Sequence, residues 1–101
     1  MAFNIKILKS AYKDLQEATK WYNEQLNNLG KEFRIEVNKE LDYISNNPYY
    51  YQLKYKEYRQ ALVNRFPYLI YYFVVENTNE IIVFGIIHTK RNPRTIKRRI
   101  T

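Results

Sequence analysis

Apolar and polar positions alternate at the start of the chain, with Phe3, Ile5 and Ile7 separated by Asn4 and Lys6. A period of two sends one set of side chains to one face and predicts a strand with one buried side. From Ser10 onward the period lengthens. Ala11, Leu15, Ala18, Tyr22, Leu26 and Leu29 recur at steps of three and four, which predicts an amphipathic helix of about five turns. Ser10 is placed to cap that helix. Lys13 stands where a full capping box has Glu or Gln, while Asp14 and Glu17 suit the helix's positive end. Gly30 is expected to end it. Phe33, Val37, Leu41 and Ile44 then form a second stripe, stopped by Asn46-Asn47-Pro48. So short a link makes the two helices antiparallel neighbours.

The period changes again after Pro48. Residues 49–58 read as a connector rich in tyrosine and lysine, and Ala61 to Phe66 as a strand. After Pro67, Tyr68 to Val75 is a β-branched and aromatic run. Residues 76–80 are polar turn material, and Ile81 to Ile87 is a second run, which together predict a β-hairpin. The order is β-α-α-β-β-β, an α+β fold in which a small, mainly antiparallel sheet packs on a helical hairpin. Residues 1–101 form one domain, with no repeat and no linker. Leu69, Tyr71, Phe73 and Val75 fall on one face of the hairpin, Ile70, Tyr72 and Val74 on the other. Two helices cover only one face of a small sheet, so the other needs the tail or another chain as its cover. The tail from Thr89 is either a short helix or mobile. Removing the residues after Pro93 is expected to leave the fold intact and to weaken binding in a salt-dependent way.

Charge sharpens this picture. The net charge is +7, and it is one-sided: residues 1–50 hold seven Lys/Arg and seven Asp/Glu, whereas residues 51–101 hold ten against three. From His88 to Thr101 there are six basic residues and no acid. Such a field attracts nucleic acid or an acidic polypeptide, and it serves equally as a solubilising surface. The 46% hydrophobic and 17% aromatic content argues for a packed core. Neither a signal peptide nor a stretch of membrane-spanning length is present, so the cytoplasm is the expected location.

Candidate chemistry is narrow. Cysteine is absent and His88 is the sole histidine, so no metal site and no organic cofactor are expected. Neither Ser10 nor Ser45 sits in a nucleophile elbow, and Gly30 and Gly85 stand alone, outside any phosphate-cradling motif. What remains is the end of the last strand. Metal-free RNA cleavage needs a base near the 2′-hydroxyl and cations around the phosphate. His88 or Glu57 can supply the base, and Arg59, Arg65 and Arg91 the cations. Tyr49, Tyr50, Tyr51, Tyr55 and Tyr58 can stack on bases, or can simply lid the core. A plain nucleic-acid-binding module is a third reading, although no reader motif is evident.

Several of these features occur together in one known family. They are Trp21-Tyr22 in the first helix, Gly30 between the helices, and Ile44 through Pro48 ending the second. Tyr58-Arg59, then Arg65 through Tyr72, and finally Ile87-His88 with Arg91-Asn92-Pro93 complete the set. In this order they resemble the RelE/ParE superfamily of toxins from type II toxin–antitoxin modules, over nearly the whole chain. The resemblance implies a growth-inhibiting, plasmid-stabilising toxin held by the extended segment of a small antitoxin. That segment would cover the open sheet face and bring acidic side chains to Arg59, Arg65 and Arg91. RelE-type members are ribosome-dependent mRNA endonucleases, and ParE-type members poison DNA gyrase. The nucleases carry an arginine where this chain has Pro67-Tyr68, and a tyrosine where it has Thr89-Lys90-Arg91. The pattern is therefore more similar to the ParE branch, which favours a binding toxin over an enzyme. If the chain is a nuclease, the candidate catalytic residues are His88, Arg65, Arg59 and Glu57, of which His88 matches the strand-end histidine of some RelE-like members. For antitoxin or target binding the candidates are Arg59, Arg65, Tyr68, Lys90, Arg91 and Arg94.

Overall fold

The computed structural model describes residues 2–55 and 57–100. Lys56, within the expected connector, and Thr101, at the end of the tail, lie outside them. The chain forms β1 (Asn4–Ile7), α1 (Lys9–Gln25), α2 (Leu29–Asn46), β2 (Leu53–Lys54), β3 (Tyr58–Leu62), β4 (Tyr68–Val75), β5 (Glu80–His88) and α3 (Arg94–Ile100). The sheet order is β1-β5-β4-β3-β2. β1 runs parallel to β5 and every other pair is antiparallel. A parallel pair needs a long crossover, and the α1–α2 hairpin supplies it. The α+β architecture is the expected one, with β2 and α3 added.

The two apolar stripes dock as their periods require. Ala11, Leu15, Ala18 and Tyr22 are buried on α1, and Phe33, Val37, Leu41 and Ile44 on α2. Leu26 is 62% exposed, because α1 stops at Gln25 and the chain reverses through Asn28 at φ 69°. Gly30 therefore does not end the first helix. It lies in the first turn of α2, buried against α1, where its N–H donates to Asn23 Oδ1 at 2.8 Å. A Cβ there would stand 2.7 Å from the Asn23 side chain and closer still to the Thr19 carbonyl. Gly30→Ala is expected to cost about 1–3 kcal/mol by overpacking the helix crossing, read as a lower urea midpoint with an unchanged slope.

Ser10 is not the cap. β1 passes through extended Leu8, whose N–H is held by the Val83 carbonyl at 2.9 Å, so α1 starts already anchored to the sheet. Ser10 lies in its first turn, and its Oγ donates to the Phe84 carbonyl at 3.2 Å.

The strand expected over 61–66 instead spans Tyr58–Leu62. Arg65 adopts a left-handed φ of 71°, which no strand continues through, and the chain bends back at Pro67. β4 and β5 carry both cores. Ile70, Tyr72, Ile81, Val83 and Ile86 face the helices, while Phe84 and Ile87 face away with Tyr71 and Phe73. A bulge makes this possible: Tyr71 pairs with Gly85 but Tyr72 pairs with Val83, leaving Phe84 as the extra residue. The outward face is covered from within the chain by α3. Ile96 is 2% exposed and packs with Tyr58, Phe84 and Ile87. Arg99 forms a two-pronged ion pair with Asp14 of α1 at 2.5 and 3.0 Å. The tail is thus a packed helix, which argues against its being dispensable to the fold.

Candidate functional site

Register decides which candidate residues meet. Tyr68 opens β4 directly opposite His88, the last residue of β5, and their rings touch edge to face at 5.3 Å. Beyond His88 the chain turns, with Thr89 N–H bonded to the Pro67 carbonyl and Arg91 N–H to the His88 carbonyl. His88 Nδ1 accepts the Lys90 N–H at 3.0 Å, so the ring's proton in the neutral form sits on Nε2. α1 closes the site from the other side. Asp14, Glu17, Ala18 and Trp21 share one helical face and line a 220 Å³ cavity with Tyr68, His88 and Arg91. A 420 Å³ cavity adjoins it, walled by Trp21, Tyr22, Pro67, Tyr68 and His88.

The rings behind this cleft are fixed. Tyr22 and Tyr68 each stack at an angle on Phe33, at 5.2 and 5.0 Å, and Tyr22 also meets Phe66 at 4.9 Å. Burial raises the Tyr68 phenol above its usual range; Arg91 pulls it part of the way back, and Asp14 adds a smaller upward push. Burial raises Tyr22 as well. Both phenols therefore stay protonated at neutral pH and offer no phenolate base.

The other proposed catalytic groups are elsewhere. Arg59 pairs across the sheet with Tyr72, four residues along β4 from Tyr68, a separation of about 13 Å along the strand. Its guanidinium donates to the Tyr51 carbonyl and lies over the Tyr49 ring at 5.3 Å. Glu57 is exposed and shares a separate cavity with Arg59, Tyr72 and Glu76. Arg65 belongs to the same end of the sheet as His88, but its guanidinium turns to α2. There it meets Glu32 at 3.0 Å and Glu36 at 3.9 Å. Lys90 and Arg94 are exposed and line neither cavity; Arg94 opens α3, and its N–H is held by Asn92 Oδ1. Of the proposed site residues, His88, Tyr68 and Arg91 come together; Glu57, Arg59 and Arg65 do not join them. Asp14, Glu17 and Trp21 were not read as site residues. Their spacing of three and four on α1 is the signal that places them on one face.

Among the described residues, no group of three His, Cys, Asp or Glu side chains could hold a metal ion, and no helix is long and apolar enough to cross a membrane.

A five-stranded mixed sheet on a helical hairpin matches the fold of solved RelE/ParE toxins. The sequence matches the family described as the ParE toxin of the type II toxin–antitoxin system, parDE, over residues 5–93, and the chain belongs to that family. Its fold is similar to that of the chromosomal ParDE system from P. aeruginosa. The TM-score is 0.75 at 14% identity, covering 88% of this chain and 98% of that one. A mutant of the E. coli toxin RelE in the free state gives 0.73 at 14% identity, covering 99% and 96%. The intact E. coli RelBE toxin–antitoxin complex gives 0.70 at 16%, covering 89% and 100%. At these identities the likeness is one of fold. A comparison of the sequence with curated proteins finds no match.

Proposed function

We propose that this toxin inhibits growth by binding a target protein, with DNA gyrase as the candidate, and that a small cognate antitoxin neutralises it in the cytoplasm. One observation carries the choice of binding over RNA cleavage: among the described residues, Arg91 is the only arginine lining the cleft beside His88. Arg59 and Arg65 are committed to Tyr51, Glu32 and Glu36. A nuclease working without a metal must surround the phosphate with preorganised cations, and losing one such group costs about 100- to 1,000-fold in rate. The raised phenol of Tyr68 offers no base to compensate. Antitoxin neutralisation rests on family membership, and the basic 88–101 segment suits an acidic partner.

The test is to induce the chain in cells, map mRNA ends on translated messages, and assay gyrase supercoiling with purified protein. Supercoiling inhibition without codon-phased mRNA cleavage is the expected result. Prompt codon-phased cleavage that disappears in His88→Ala would overturn it and move the chain to the endonuclease branch.

A further inference from the structure

We infer that the Trp21–Tyr68–His88 cleft is a receptor for one bulky aromatic side chain presented on an acidic segment of a partner protein. The two cavities share Trp21, Tyr68 and His88 and so form one continuous cleft. Its larger part, 420 Å³, is walled by four rings and a proline. That lies near the lower end of ligand clefts, roughly 300–1,000 Å³, and suits a single large side chain.

Trp21 is 53% exposed and, among the described residues, has its neighbour Tyr22 as its only ring partner, at 5.1 Å. One exposed apolar residue means little by itself. Here, however, the exposed indole faces a concavity whose remaining rings are held by the core through Phe33 and Phe66. A preformed aromatic wall loses little entropy on binding and is the setting in which hot-spot side chains dock.

Charge identifies the rest of the occupant. Arg91 lines the cleft, and the exposed Lys90, whose N–H bonds to His88 Nδ1, precedes it in the turn. On the α1 side, Asp14 is already held by Arg99, which leaves Glu17 as the opposing charge. A segment entering here meets Arg91 and the neighbouring Lys90 of the turn after β5, so acidic residues flanking the anchor match it. A lysine or arginine anchor would gain the aromatic wall and Glu17 but would face Arg91.

This inference relies on the proposed function only in taking the occupant to be a protein segment, and its test is independent of gyrase. Trp21 is the sole tryptophan, so its emission reports on the cleft directly. Three capped peptides serve as probes against the full chain: Glu-Glu-Phe-Glu-Glu, the same with Ala for Phe, and Lys-Lys-Phe-Lys-Lys. The acidic aromatic peptide is expected to bind at least about ten-fold tighter than either control and to shift Trp21 emission. Arg91→Glu, at an exposed position, should reverse the preference toward the lysine peptide. Equal binding of the Ala peptide would reduce the effect to charge alone, and equal or tighter binding of the lysine peptide would remove the acidic requirement. No change in emission up to about millimolar peptide would show that the cleft takes no such side chain. Each of these three results overturns the inference. Peptide binding without gyrase inhibition would leave it standing while the proposed target fell.

Discussion

Deleting the residues after Pro93 is expected to lower the melting temperature by about 20 °C or more, or to abolish the cooperative transition. The deletion removes Ile96, 2% exposed, and uncovers Tyr58, Phe84 and Ile87, each under 7% exposed. Truncating a buried isoleucine costs about 2–5 kcal/mol, and the uncovered rings and aliphatic side chains add to that. A chain of this size has about 5–15 kcal/mol in total, and each kilocalorie lost shifts its midpoint by about 4–8 °C. Arg99 leaves too, taking the charge that faces Asp14 and one of the donors to the Phe84 carbonyl. Circular dichroism melts and urea titrations of the full and shortened chains decide the matter. A shortened chain that melts within a few degrees of the full one would make α3 an appendage.

The truncation also marks where reading the sequence runs out. Ile96 and Ile100 stand four apart, as a packed helix requires, but four cations share the seven residues of α3, and that density reads as a solvated tail. Only the register of β4 and β5 reveals the aromatic floor beneath it. β4 itself was fully legible, because eight consecutive β-branched, aliphatic and aromatic residues between Pro67 and a polar turn permit little else. The bulge was not. A strict period of two along 81–87 would send Ile87 to the helical side with Ile81 and Val83, whereas the extra residue at Phe84 sends Ile86 there instead.

The site divides in the same way. His88, Tyr68 and Arg91 meet through local pairing of neighbouring strands, which pattern can anticipate. Arg59 and Arg65 look available in sequence because both lie in or beside one strand. Their partners, Tyr51, Glu32 and Glu36, come from other parts of the chain. Gly30 shows the reverse error: a lone glycine after an apolar stripe suggests a helix end, while its actual role depends on how closely α2 approaches Thr19 and Asn23.

Asp14→Ala is expected to destabilise the chain by about 3–5 kcal/mol, more than Arg99→Ala does, although the two residues form one ion pair. The reason lies at the edge of β5. β1 pairs with β5 only as far as Val83, and Leu8 then leads away into α1. Beyond that point the Ile86 N–H has no strand partner, and Asp14 Oδ2 accepts it at 3.0 Å. Asp14 therefore satisfies a backbone donor of β5 and a guanidinium of α3 from its place on α1, with side chains only 11% and 21% exposed for Asp14 and Arg99. Removing the carboxylate strands both donors at once. A largely buried charge left without its partner costs about 3–5 kcal/mol, and an unsatisfied amide about 1–3 kcal/mol. Removing Arg99 instead leaves Asp14 bonded to Ile86 and opens a path to solvent. Asp14→Asn should fall between the two, since its carbonyl oxygen can keep the amide but not the charge. Urea unfolding of the single and double variants gives the coupling energy, and hydrogen exchange at the Ile86 amide reports the edge directly. Protection there should be lost in Asp14→Ala and kept in Arg99→Ala. Equal destabilisation by the two changes, with Ile86 protected in both, would mean that the pair merely pins α3 and that the β5 edge finds its partner elsewhere.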